Sequence, residues 1–148
     1  MEEIHSLNEF SIVTRHMIME KDLNPEGHLF GGAMLAWLDE ATGIYVLEQI
    51  GYPNFVTVAL HDVYFRAPGH RGDCITIYSR IVKTGASSVV AETRAINHEL
   101  MTGRDREIIT CRFTFVCLKD HKAYRYFTTP EYQAWLERKK LRTEAHGW

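Results

Sequence analysis

Apolar and polar positions follow two rhythms along this chain, and short runs of Gly, Pro, Asn and Asp separate the blocks. The first block, Phe10–Glu20 (FSIVTRHMIME), is rich in β-branched and apolar residues and predicts a strand. Asp22 to Gly27 reads as loop, with Asn24-Pro25 as its turn signal. A helix is predicted from Gly31 to Gln49, stopped by Gly51 and Pro53. Within it Leu35, Leu38, Ala41 and Ile44 put apolar side chains on nearly every face, as in a helix buried all round. Three β-rich segments follow, Phe55–Arg66, Cys74–Lys83 and Ser88–Asn97, and both breaks between them have good turn chemistry. A fifth strand, Glu107–Leu118, sets Cys111, Phe113, Phe115 and Cys117 on one face by two-residue alternation. Pro130 opens a last helix, Glu131–Arg142, in which Trp135 and Leu136 are placed to dock.

The order is therefore strand, helix, a run of strands with short connections, and a terminal helix. Short connections between consecutive strands favour antiparallel pairing, and one long apolar helix needs a sheet to cover it. The prediction is an α+β fold with an antiparallel sheet wrapped around one central helix, in a single domain over residues 1–148 with a helical tail from about 130. Strand order and register do not follow from the pattern.

A chain of 148 residues can bury a core without staples, and its 45% hydrophobic and 24% charged residues are ordinary for a soluble protein. A net charge of −2 gives no whole-chain attraction to nucleic acid. The start, Met1-Glu-Glu-Ile-His, lacks the basic-then-apolar order of a signal peptide, and no apolar run reaches membrane-spanning length. Three cysteines without a C-x-x-C pair fit free thiols in a reducing compartment. A cytoplasmic location is expected, with neither nucleic acid nor membrane as partner.

Candidate chemistry concentrates in Asn24–Gly43. Asp39 is an acid inside an apolar helix, where a carboxylate is costly unless paired or used. It pairs with a buried Arg such as Arg66, or it serves a reaction. Glu40 is turned about 100° away by one helical step. Gly27, Gly31 and Gly32 at the helix start offer either close backbone packing or an anion site, where free N–H groups meet the helix dipole. Neither G-x-x-x-x-G-K-[ST] nor G-x-G-x-x-G is present, which removes the common nucleotide folds. The eight histidines form no H-E-x-x-H cluster, and His61 and Asp62 are strand neighbours expected on opposite faces, so no metal is predicted. Cys111 and Cys117 alternate with phenylalanines, a setting that suppresses thiolate, and no G-x-S-x-G elbow appears. Lys83-Thr-Gly-Ala-Ser-Ser88 is a turn that also presents hydroxyls, N–H groups and a lysine to a phosphate.

Together, Asn24-x-x-Gly27-x-x-Phe30-Gly31-Gly32 followed by Asp39 resembles the active-site loop and central helix of hotdog-fold acyl-CoA thioesterases. The resemblance continues through Val56–Ala59, Phe65–Pro68, Gly72-Asp73, the Lys83–Ser88 turn and Phe113–Val116, and covers about residues 10–120. It implies a hotdog fold and hydrolysis of acyl-CoA to free acid and CoA, with no cofactor beyond the substrate. Asp39 would be general base or nucleophile, Asn24 would hold water or substrate, and the N–H groups of Gly31 and Gly32 would polarise the thioester carbonyl. The substrate would also touch Thr57, Arg66 and the turn residues Gly85, Ser87 and Ser88. Phe30 stands where many hotdog enzymes carry His, so no side-chain chemistry is available there, and the tail from His121 matches no pattern.

One consequence is geometric. Gly31 and Asp39 are separated by about 12 Å along a helix axis, at 1.5 Å per residue. Acid and oxyanion donors must both reach one carbonyl. A two-fold dimer that places Asp39 of one chain near Gly31, Gly32 and Asn24 of the other solves this. The resemblance implies such homodimers, assembled further into tetramers or hexamers. Two other functions fit the same sequence. A hydratase-dehydratase would want a His beside the acid, and a non-catalytic acyl-CoA sensor would want an output module such as a helix-turn-helix.

Overall fold

Cys74–Thr84 (β3), Ser88–His98 (β4) and Asp105–Lys119 (β5) bury every second side chain, which gives the sheet one inward face. Ile75, Ile77, Val89, Ala91, Ile109, Cys111, Phe113 and Cys117 point inward and are sealed from solvent. The long helix Gly31–Ile50 (α1) lies against that face through Met34, Leu38, Ala41, Tyr45, Val46 and Ile50. Ser11–Met17 (β1) and Phe55–Phe65 (β2) complete the layer, in the order β1-β3-β4-β5-β2 with every pair antiparallel. A short strand, Lys122–Ala123 (β6), folds back on the end of β5. The structure, a computed structural model, describes residues 7–146; the acidic start Met1–His5 and the last two residues lie outside them.

The predicted strands and both helices fall where the pattern put them, with ends shifted by a few residues. β6 and the three 3-10 turns at Leu7–Glu9, Glu20–Asp22 and Tyr126–Thr128 carry too few residues to show a period. Two expectations need correction. α1 is not buried all round: Ala36, Asp39, Glu40, Ile44, Leu47 and Glu48 are exposed, because one sheet layer covers one side of a helix. His61 and Asp62 do not alternate simply either, since Asp62 has φ 53° and the β2–β5 register shifts between His61 and Tyr64.

β2 is an edge strand, and most of its exposed residues are apolar, with Thr57, His61 and Asp62 among them. Val56, Val58, Leu60, Tyr64 and Phe65 are all more than two-fifths exposed, and α1 leaves Ile44 and Leu47 uncovered as well.

The tail is an end cap for α1. Gly51 takes the left-handed conformation at φ 68°, and its N–H returns to the Leu47 carbonyl at 3.0 Å. The Ile50 carbonyl accepts the Tyr126 hydroxyl at 2.6 Å, and the Gln49 carbonyl accepts the Trp135 indole N–H at 3.0 Å. Trp135 belongs to the terminal helix Pro130–His146 (α2), whose Lys139 ammonium also meets the Gln49 side chain. The Trp135 ring lies against bare Gly51, where any Cβ would collide with it. Leu136, expected to dock beside it, is 37% exposed. Truncating Trp135 to Ala removes the ring and one cap together, and is expected to lower unfolding free energy by roughly 2 kcal/mol. Urea unfolding of the pure variant checks this; an unchanged midpoint would detach the tail from the helix end.

Candidate active site

Asn24 organises the loop that leads into α1. Its side-chain carbonyl accepts the backbone N–H groups of Glu26 at 3.0 Å and His28 at 3.1 Å. Its own N–H and C=O bond to His28 and Gly27, the latter at φ 81°. Both lone pairs of that oxygen are thereby used, and the side-chain NH2 is the group left for a ligand. The loop is also fastened from outside: Leu29 donates to the Gly69 carbonyl, Phe30 donates to that of Asp22, and the His28 and His70 rings meet edge to face.

This anchoring delivers a helix start without a side-chain cap. Phe30 occupies the N-cap position and has no oxygen to offer, so the N–H groups of Gly31, Gly32 and Ala33 find no acceptor among the described residues. Free donors and the positive end of the helix dipole coincide there. The two glycines also let aromatic rings approach. The Phe65 ring lies 3.3 Å from where a Gly31 Cβ would stand, and the Phe30 ring crowds the same position at Gly32.

Asp39 sits on the open side of α1, exposed, with its carboxylate accepting the Thr57 hydroxyl at 2.7 Å. It does not pair with Arg66. That guanidinium lies on Glu107 at 3.1 Å and on the Thr110 hydroxyl at 3.1 Å. Burial pushes the Cys111 and Cys117 thiols up to about 11, which leaves them protonated and unreactive at neutral pH. Among the described residues no three His, Cys, Asp or Glu side chains converge as a metal site.

The expected phosphate contacts do not come together within one chain. Arg66 donates its N–H to the Ile108 carbonyl, while Ser88 stands opposite Val116 on the same β5. Eight residues of strand separate those points, about 26 Å at 3.3 Å per residue. In the turn, Gly85 donates to the Ser88 carbonyl at 2.8 Å, and the carbonyls of Ala86 and Ser87 accept from Phe127 and Cys117. Gly31 and Gly32 share the Arg66 end of the sheet through Phe65, and Asp39 lies nearer the other end through Thr57.

Residues 26–103, more than half of the chain, match the family described as the Thioesterase superfamily. A relative from Zymomonas mobilis, named as an uncharacterized acyl-CoA thioester hydrolase, is 34% identical over 111 residues, spanning 73% of this chain and 72% of its own. The chain belongs to the hotdog-fold acyl-CoA thioester hydrolase family. A hexameric thioesterase from Yersinia pestis superposes with a TM-score of 0.71 at 29% identity, covering 77% of this chain and 93% of that one. A hexameric hotdog fold thioesterase from Campylobacter jejuni, at 24% identity and TM-score 0.71, covers 81% and 90% and shows the fold. No helix among the described residues is long and apolar enough to cross a membrane.

Within this thioesterase, three features escaped the sequence reading. Thr57 was legible as part of a motif but not as the partner of Asp39, which needs the crossing of α1 and β2. Phe65 was legible as the first residue of the Phe65–Pro68 motif but not as the ring that lies against Gly31. Asp73, legible as half of Gly72-Asp73, is a buried carboxylate that receives the Asn97 amide at 2.9 Å and the N–H groups of Leu100 at 2.8 Å and His70 at 3.0 Å. It holds the loop that the Asn24 segment leans on.

Burial pushes the Asp73 carboxyl up, but the bonds from Asn97, Leu100 and His70 outweigh it and leave its pKa below the ordinary value. A depressed folded pKa gives stability that is present above the unfolded carboxylate value, about 4, and lost as pH falls through the folded one. Asp73→Asn is therefore expected to cost roughly 2 kcal/mol at neutral pH, with the deficit closing in acid. Paired urea titrations from pH 7 to pH 3 measure the gap; a pH-independent gap would contradict the assignment.

Proposed function

We propose that this chain hydrolyses acyl-CoA thioesters to a free carboxylic acid and CoA, with Asp39 as general base or nucleophile. The observation that carries the reading is the pairing of an exposed, hydrogen-bonded carboxylate with an uncapped helix start, both on the flank of the exposed β2 edge. As a base, Asp39 takes a proton from the water that attacks the thioester carbonyl. As a nucleophile, it forms an anhydride that water then opens. In either route the carbonyl oxygen gains negative charge, and the N–H groups of Gly31 and Gly32 receive it. The C–S bond then breaks, and CoA leaves as a thiolate that picks up a proton. The Asn24 side-chain NH2 serves as a further donor to water or substrate, and Thr57 orients the acid.

Two-fold pairing of the β2 edge would build the shared site. An antiparallel partner strand reverses direction, so the Thr57 end of one chain comes opposite the Phe65 end of the other. Asp39 then faces the Gly31–Gly32 donors across the interface, closing the gap of about 12 Å that one helix imposes. The same reversal lets Arg66 of one subunit and the Gly85–Ser88 turn of another serve one CoA. Assembly of such dimers into a hexamer follows the state named for the Yersinia pestis and Campylobacter jejuni thioesterases.

The first test is CoA release from a panel of acyl-CoAs, followed with a thiol reagent. Wild-type protein is expected to turn over, and Asp39→Asn to lose on the order of 10²-fold or more in kcat while still binding CoA. Release at the uncatalysed rate by the wild type would favour a binding module. Near-wild-type turnover by Asp39→Asn would remove the acid from the mechanism.

A second test addresses the shared site. Asp39→Asn and Asn24→Ala are each expected to be poorly active alone. Co-refolded in equal amounts they give about half heterodimers, each with one site carrying both lesions and one carrying neither. Activity should then recover to roughly a quarter of wild type, for sites acting independently. No recovery, with heterodimers confirmed by mass, would place both residues of a site in one chain.

A further inference from the structure

The contact between α1 and the sheet is mostly apolar, but beside the Tyr45 phenol, which bonds toward Ile81 and Ser11, it holds a string of hydroxyls. Thr42, Thr93 and Ser79, one each from α1, β4 and β3, are fully buried. The Thr42 hydroxyl donates to the Leu38 carbonyl at 2.6 Å, and its oxygen lies 2.7 Å from that of Thr93, which lies 2.8 Å from that of Ser79. A hydroxyl has one proton to give. Because Thr42 spends its proton on a carbonyl, Thr93 must donate to Thr42, and Ser79 must donate to Thr93. The chain runs one way and ends on the peptide that joins Leu38 to Asp39.

The geometry points to Thr42, Thr93 and Ser79 as positioning residues for Asp39: they pin the Leu38–Asp39 peptide of α1 to β4 and β3, so that the carboxylate keeps its place beside Thr57. This rests on the reading of Asp39 as the catalytic acid. Apolar side chains of the same shape would fill this space as stably, since paired polar groups and their apolar replacements are nearly equivalent in free energy. What the hydroxyls add is direction. The sheet-facing surface of α1 otherwise consists mainly of Met34, Leu38, Ala41, Val46 and Ile50, contacts that tolerate small rotations of a helix, with Tyr45 tethered to Ile81 and Ser11 about one and two-thirds turns beyond Asp39. A rotation of about 10° carries a side-chain tip roughly 1 Å at a helix radius of about 5–6 Å. Asp39 itself has one described hydrogen-bond partner, Thr57, and cannot hold the helix phase alone.

The test is a kinetic split with a conservative rescue. Thr93→Val keeps the shape and breaks the chain; kcat for acyl-CoA hydrolysis is expected to fall about tenfold with KM within about twofold, as for a misplaced catalytic group. Thr93→Ser keeps the hydroxyl and loses a methyl, so it should be less stable yet turn over within about twofold of wild type. Thr93→Val also leaves the buried Ser79 hydroxyl without its acceptor and is destabilised in turn, so both variants are compared per folded molecule; a purely structural role predicts wild-type kcat for each on that basis. In an Asp39→Asn background, Thr93→Val should cause no further loss, because the chain acts through the acid. Folded Thr93→Val with wild-type kcat, or a further tenfold loss on top of Asp39→Asn, overturns the proposal. If Thr93→Val does not fold, Ser79→Ala removes only the outermost donor and should lower kcat about threefold; wild-type kcat there overturns it equally. Full activity of Asp39→Asn would instead sink the underlying reading, a result distinguishable from failure of the chain alone.

Discussion

The contact between α1 and the inward face of β3, β4 and β5 is what the other parts of the molecule are arranged around. Each Leu, Ile, Val or Met side chain buried there contributes about 1.5–3 kcal/mol, against roughly 1 kcal/mol for a typical hydrogen bond. Apolar burial therefore decides which side of α1 faces the sheet. That choice leaves Asp39 on the other side, at the surface, without the desolvation cost that a carboxylate would meet in the core. The acid is available because the sheet is a single layer.

The same constraint explains what the sequence reveals and what it hides. Element positions were legible because each block has a clear period and clear stops, down to the left-handed Gly51 after α1. The loop, the glycines and Asp39 were legible as a motif. The exposure of Asp39 was not, because Ala36, Ile44 and Leu47 on the open side of α1 are as apolar as residues on the buried side. Periodicity detects apolar surface, whichever molecule covers it. Strand order was hidden for a different reason: β2 and β3 are consecutive in the chain yet lie apart in the sheet, and alternation within a strand is silent about its neighbour.

Beyond the matched family segment, the tail works on the far end of the same helix. Tyr126 and Trp135 satisfy carbonyls at the C-terminal end of α1, while the N–H groups at its start find no acceptor among the described residues. One end is closed by side chains of its own chain, and the other is left open to an oxygen from elsewhere. Since unpaired groups at either end of a helix are costly, this asymmetry marks the start of α1 as the end with work to do. Past His121 the pattern marked Trp135 as a docking residue but not what it caps, because capping by a hydroxyl and an indole needs a three-dimensional approach and leaves no local spacing.

The edge formed by β2 carries a hazard of its own. An exposed apolar edge strand is a template on which further strands can stack without limit. β2 departs from regular pairing twice, between Thr57 and Ala59 and again between His61 and Tyr64, with Asp62 forced to a positive φ. Bulges of this kind twist a strand and interrupt its ladder. A partner with the same irregularities, reversed by a two-fold axis, can match them once and close the assembly. A generic extended peptide cannot keep register past them. In the proposed dimer the kinked edge would act as a filter on association, admitting a finite, self-complementary partner and refusing the open-ended growth of a fibre.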